Sequence, residues 1–484
     1  MTRLTCLLTL IASLASGQSA PLLPLTSDDV IVFTGGTEVV EMQQSGHLET
    51  LLTARSTPAT PKFRDLAWEA DTVSFQGTVH GQWRTKGHFD DIKPFGNWAT
   101  QLKKVGATAI IMQYGAIEIL QGQRVDAFTN ELNLLLEEFT GITKRLVLLS
   151  PAPFEGELAK YNPQVTTYAR IMERVARDRG LIFVDLTKEP IDNRTRNGWI
   201  TASNQRHSIA EQIATQLGIE ASTDWKALEP LRQAIIEKHR LWTDYWRPAN
   251  WKCLFGDDGK RGFSKASHGL PSFQEEWAIF PKLIAKAENQ IVAIAKGDDQ
   301  ANEWAPLAPT PRTGSPDADI DTELAAFTTP DGYSMNLFAD ESMGIANPLS
   351  IRWDPEGRLY VACTYVYPQI DPGAKPDDTI IVLEDTNGDG RADTSTIFAT
   401  GLNIPTGMEL GNGGVYVGQN TQLLFLKDTD GDLRADERTV VLSGFGNGDS
   451  HQTSNGFVWS PGGELFFCQG DGIESRVETP HGVS

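Results

Sequence analysis

Two short stretches place oxygen-bearing side chains at alternate positions. The first runs Asp385-Thr386-Asn387-Gly388-Asp389-Gly390-Arg391-Ala392-Asp393, with donors at its first, third, fifth and ninth positions. The second, Asp428-Thr429-Asp430-Gly431-Asp432-Leu433-Arg434-Ala435-Asp436, repeats that spacing. Calcium is a hard cation that takes about six to eight oxygens at roughly 2.3–2.6 Å, and alternating carboxylates on a tight loop converge on one such ion. The candidate ligands are Asp385, Asn387, Asp389 and Asp393 in the first loop and Asp428, Asp430, Asp432 and Asp436 in the second. A backbone carbonyl near Arg391 or Arg434 would add to each set. Neither loop is a full EF-hand, because the twelfth position is Thr396 in one and Thr439 in the other. Leu433 stands where the first copy has Gly390, which makes the second loop the less regular. Asp, Asn and Gly also favour plain solvated turns; the repetition in register is what argues for calcium.

The elements that carry these loops are β-type. Ile380 to Leu383 and Leu423 to Leu426 are apolar and strand-like, so the loops sit on hairpins. Three similar units, strand then Gly-rich turn then strand, occupy 350–361, 407–417 and 456–467. Hairpins at such a period predict propeller blades over 319–484, a β-sandwich being the alternative. At roughly 45 residues per blade this stretch holds about three, whereas closed rings take about four to eight. The expectation is an incomplete propeller, either a shortened product or a half-ring that needs a partner.

Upstream the pattern changes. Val30 to Phe33, Ala107 to Tyr114, Leu146 to Leu149 and Leu181 to Leu186 are continuous apolar runs. Helical periodicity fills the intervals, at Asn97 to Val105, Asp126 to Phe139, Tyr168 to Arg179 and His207 to Leu217. Unbroken apolar strands alternating with helices predict a doubly wound parallel sheet, an α/β domain over 28–220. Such sheets place their functional groups at the carboxyl ends of the strands. A helical extension follows over 221–296, rich in Trp, Lys and Arg. The Pro-, Gly- and Asp-rich stretch 297–318 reads as a linker.

The N-terminus joins a basic Arg3 to an apolar run, Leu4 to Leu14, and then to Ala15-Ser16-Gly17. That order predicts a signal peptide over 1–17 and a secreted or periplasmic protein. No stretch has the ~20 apolar residues of a membrane span, so no transmembrane segment is expected. The 484-residue chain carries a formal net charge of −21. Such acidity argues against a nucleic-acid surface, which needs a basic patch. Beyond Cys6, the cysteines are Cys253, Cys363 and Cys468, none of them in a CxxC or CxxCH pattern. Structural zinc and attached haem therefore have no support; one disulfide with a free thiol and three thiols both stay open.

Residues 28 to 220 also resemble the SGNH (GDSL-like) hydrolase superfamily. The resemblance makes Thr37, in Gly35-Gly36-Thr37, the hydroxyl at the nucleophile position. It makes His207, in Asn204-Gln205-Arg206-His207, the candidate base, with Asn204 where the family has a carboxylate. Two oxyanion-hole positions depart from the family. The segment Leu66-Ala67-Trp68-Glu69-Ala70-Asp71 lacks its glycine, and Ile117 replaces an Asn in Gly115-Ala116-Ile117-Glu118. Losing one such donor costs about 10²–10³ in rate, so a degenerate site is expected. The C-terminal part resembles the opening of sorbosone and glucose dehydrogenase-like propellers in large exported planctomycete-type proteins. The motifs are Asn403 to Met408, Gly448 to Thr453 and Ser475 to Pro480. That resemblance implies sugar oxidation with pyrroloquinoline quinone and an electron-transfer partner, with His451 as base and Arg476 as anion clamp at the propeller mouth. The combined expectation is an exported protein that binds carbohydrate or a sugar-derived small molecule, or oxidises it when complete. An esterase acting on sugar esters and a non-catalytic interaction module are the alternatives.

Overall fold

The computed structural model describes residues 22–76, 96–188, 191–219, 224–248, 250–255, 272–298, 319–470, 473 and 475–484. The signal-peptide segment 1–17 and nearly all of the linker stretch 297–318 lie outside the described residues.

The apolar runs form a five-stranded parallel sheet in the order β2-β1-β3-β4-β5. Its strands are β1 (Val30–Gly35), β2 (Lys62–Asp65), β3 (Ala109–Gln113), β4 (Leu146–Leu149) and β5 (Ile182–Val184). Their continuous hydrophobicity follows from burial on both faces. Val32, Ile110, Met112, Leu146 and Leu148 point into one core. Their neighbours Ile31, Phe33, Ala109, Ile111, Val147 and Leu149 point into the other. This is the two-residue alternation of a pleated strand used twice. β2 was not among the expected strands. It is an edge strand of sequence KFRD in which only Phe63 supplies an apolar side chain.

The helix Trp225–Trp246 starts at Asp224, whose side chain accepts from the Lys226 and Ala227 amides. Leu241, Trp242 and Trp246 from this helix join the same core as Val32 and Ile110, together with Phe280, Leu283 and Ile284 of the helix Phe280–Ala295. The Trp242 indole donates to Asp65 O at 2.6 Å. The extension therefore packs on the α/β domain and completes its core.

The C-terminal part is antiparallel. β6 (Pro348–Trp353), β7 (Leu359–Cys363), β8 (Asp378–Glu384) and β9 (Thr394–Leu402) form one meander. A second consists of β10 (Gly407–Gly411), β11 (Gly414–Gln419), β12 (Gln422–Lys427) and β13 (Glu437–Ser443). The two pack face to face through Tyr360, Ile380, Val382 and Phe398 against Met408, Val415, Val417 and Leu424. A hairpin of β14 (Asn455–Trp459) and β15 (Leu465–Cys468) follows. A short final hairpin, β16 (Glu478–Thr479) and β17 (Gly482–Val483), returns to the α/β sheet. The first strands of successive sheets are neighbours, β6 with β10 and β10 with β14. No described helix is long and apolar enough to cross a membrane.

Candidate functional sites

In a sheet of order 2-1-3-4-5 the crevice lies where β1 and β3 part, at their carboxyl ends. A cavity is found there, lined by Gly36, Thr37 and Asp71 with Tyr114, Glu118 and Trp199. Gly35 needs its glycine: its φ is +148°, and a Cβ would meet Gln113 O at 2.5 Å. The chain turns here into the helix Thr37–Ser45, whose first amide faces the cavity.

That amide, Thr37 N–H, donates to Glu478 Oε1 at 2.9 Å. Ala70 N–H donates to the same oxygen at 2.5 Å. Two backbone donors converging on one oxygen is oxyanion-hole geometry. The segment Leu66 to Asp71 has no glycine, and its donor to Glu478 is the Ala70 amide, at φ +62°, a left-handed backbone that favours glycine. Ile117 lines the cavity, and its side chain has no donor to give. Glu118 is turned away from chemistry: it accepts from Gly115 N–H and Val73 N–H, both at 2.8 Å. The space left beside Glu478 is about 40 Å³, room for no more than a few waters.

Thr37 and His207 do not form a pair. The Thr37 hydroxyl is buried without a hydrogen-bond partner. His207 packs against His47 and Trp225, with ring centroids 6.3 and 6.4 Å away. Its Nε2 lies 3.2 Å from Ser208 Oγ. Next to Thr37, Glu38 is engaged by Thr201 and by Arg194 and Arg206 at 3.7 and 3.8 Å. Burial works against the Glu38 anion, but Arg206, Arg194 and Thr201 hold its pKa below the ordinary value. The place of a base is taken by a structural ion cluster.

A second, open cleft of about 600 Å³ lies at the starts of β6, β10 and β14. His451 lines it together with Arg352, Tyr367, Thr406, Ser450 and Asn455. The local sequence sets the histidine: Asp449 caps a short turn by accepting from His451 N–H at 2.9 Å. The same oxygen lies 2.6 Å from His451 Nδ1. Lys252 Nζ reaches the other oxygen at 3.1 Å. Burial opposes the Asp449 charge, but His451 and Lys252 bring its pKa down to about 2. Tyr367 meets the imidazole edge-on at 5.0 Å. Arg476, expected beside His451, is elsewhere: its guanidinium stacks on Phe75 of the α/β domain, 4.0 Å from the ring centroid. Proximity of Ser475 to Pro480 to the α/β domain had no local sequence signal.

The two acidic loops fold alike. Asp385 accepts from Gly388 and Gly390 amides at 2.7 and 2.8 Å. Asp428 accepts from Gly431 and Leu433 at the same distances. Leu433 holds φ +63° where Gly390 has +86°. Asp428, Asp430 and Asp432 bring ligand oxygens within 4.8 Å of one another. In the first loop Asn387 takes the middle place between Asp385 and Asp389. Asp393 and Asp436 bind their own loop's Thr386 and Thr429.

A family described as a domain of unknown function, DUF7133, matches residues 319–483. No curated protein matches the chain. Among solved structures, the chain is similar to Axe2, an acetylxylan esterase from Geobacillus stearothermophilus. The identity is 12% and the TM-score 0.32, over 42% of this chain and 99% of that one. It is also similar to TesA, at 14% identity and a TM-score of 0.31, over 39% of this chain and 98% of that one.

Proposed function

We propose that this is an exported carbohydrate-binding protein whose ligand site is the His451 cleft, and that its α/β domain is a hydrolase-like scaffold without hydrolytic activity. The observation that carries the reading is the contrast between the two sites. The α/β cavity is filled by the chain's own Glu478, and among the described residues no base is hydrogen-bonded to the Thr37 hydroxyl. The cleft is open, within the ~300–1,000 Å³ of small-molecule sites.

Its lining suits a polyol. Thr406, Ser450 and Asn455 offer hydroxyl and amide groups, and Tyr367 offers a half-exposed aromatic surface. The Asp449 carboxylate orients His451 from Nδ1, which favours an imidazole able to accept a hydroxyl proton at its other nitrogen. Neighbouring first strands support a blade-like, radial arrangement around this cleft. Calcium would be held by Asp428, Asp430 and Asp432, and in the other loop by Asp385, Asn387 and Asp389, as a brace on the hairpins.

Pyrroloquinoline quinone fits these residues poorly. Its carboxylates ask for cationic partners, and the one guanidinium among the cleft residues, Arg352, is already held by Glu409 at 2.9 Å. Arg476 is on the other side of an interface. The reading is therefore binding, with oxidation set aside.

The test is isothermal titration of the full chain with a panel of neutral monosaccharides and sugar acids. Saturable binding by one class, weakened at least tenfold in Tyr367→Ala, is the expected result. A flat response across the panel at millimolar ligand would sink the proposal.

A further inference from the structure

The final hairpin reaches across the interface into the α/β cavity, and what it inserts is a carboxyl group. Glu478 is 5% exposed and its Oε1 takes both convergent amides. Its Oε2 is buried without a hydrogen-bond partner. An ionised carboxylate has about four acceptor sites to satisfy, whereas a carboxylic acid needs fewer. The fit is tight enough that a Cβ on Gly36 would stand 2.6 Å from Oε1. The turn residue Gly482 is pressed against Gln121 in the same way, its Cβ position 2.6 Å from Gln121 Cγ.

The surroundings are acidic. From the segment after β2 come Glu69 and Asp71; from the segment after β3 come Tyr114 and Glu118. Glu38 and Arg194 face the cavity, but Glu38 is already held by both Arg194 and Arg206. Arg247 is committed to Glu69 at 2.7 Å. On the hairpin's own segment, Arg476 lies over Phe75. No guanidinium or ammonium is paired with Glu478 among the described residues.

We propose that the C-terminal hairpin is an intramolecular plug of the α/β cavity, one that docks with Glu478 as a neutral carboxylic acid and leaves when that acid ionises. The site thereby selects a class of ligand: a protonated carboxyl whose carbonyl oxygen accepts two N–H groups.

Burial first, with Glu69 adding to it, raises the Glu478 pKa from about 4.5 to about 7; the Thr37 and Ala70 amides pull the other way. A raised acid binds its proton more tightly in the docked state. Docking is then strongest below the ordinary value and is lost as pH rises through about 7.

Hydrogen exchange on the full chain at pH 5 and pH 8, corrected for intrinsic chemical exchange, tests this. Protection of the Thr37 and Ala70 amides and of 477–484 falls roughly tenfold or more in the wild type. In Glu478→Gln, which cannot ionise, protection is the same at both pH values. In Glu478→Ala it is absent at both, while β3 and β4 stay protected and report that the domain is folded. Equal wild-type protection at the two pH values would overturn the proposal, as would a glutamine variant that opens with the wild-type pH dependence.

Discussion

Two buried glutamates show how neighbours decide a charge. Glu49 lies 2.8 Å from Lys238 Nζ and 2.7 Å from His239 Nε2, all three within a few per cent of full burial. Burial raises its pKa, but Lys238 and His239 outweigh that and bring it to about 2. Glu478 is equally buried, has only amides for partners, and goes up instead. The two therefore act on stability with opposite sign. The Glu49 contribution is present above the ordinary carboxyl range and is lost as pH falls toward about 2. Glu49→Gln leaves the Lys238 ammonium buried without its counter-charge, at a cost of about 3–5 kcal/mol. Urea unfolding at neutral pH measures it, and a loss below about 1 kcal/mol would show that the cluster adds little.

At the scale of elements, the acidic hairpin loops and the glycine turns make the sharpest statements. Calcium titration of the full chain raises the melting temperature, and Asp428→Ala and Asp432→Ala remove most of that rise. A melting temperature indifferent to calcium and to chelator would reduce the loops to ordinary turns. Gly36→Ala forces a methyl group against Glu478, and Gly444→Ala would meet Arg476 O at 2.3 Å. Both variants free the final hairpin, and limited proteolysis then clips it in them faster than in the wild type. Equal cleavage rates would mean that the backbone gives way without releasing the hairpin.

For the whole molecule, the helix Trp225–Trp246 and the residues after it are the joint. Arg247 binds Glu69, donates to Ala67 O and stacks on Trp68 at 4.3 Å. Asn250 donates to Ser450 Oγ at 2.7 Å, and Asn447 returns a bond to Pro248 O at 2.8 Å. Arg240 adds donors to Gly373 O and Ala374 O. Scanning calorimetry of the wild type is expected to show one transition; Arg247→Met, which removes the Arg247–Glu69 ion pair, lowers it or splits it in two. Two separate wild-type transitions would mean that the regions fold independently.

Much of this was legible in residue pattern. Val30 to Phe33, Ala107 to Tyr114 and Leu146 to Leu149 announce buried parallel strands because no other structure tolerates such runs between amphipathic helices. Gly35-Gly36-Thr37 announces the turn at the crevice, and the paired Asp loops announce their shape. The strand Lys62–Asp65 escaped because edge strands need few apolar residues. Ala70 escaped because backbone donors depend on φ, which glycine signals and alanine hides. Glu478 and Arg476 escaped because their partners are remote in sequence, and no local window contains them.

That remoteness has a consequence in time. Thr37 and Glu478 are 441 residues apart. Ala70 and Glu478 are 408 residues apart; at about 5–20 residues per second, a growing chain has both amides for roughly 20 to 80 s before the carboxyl that fills them exists. During synthesis the crevice is an unoccupied receptor, open to any acid of the right shape that passes.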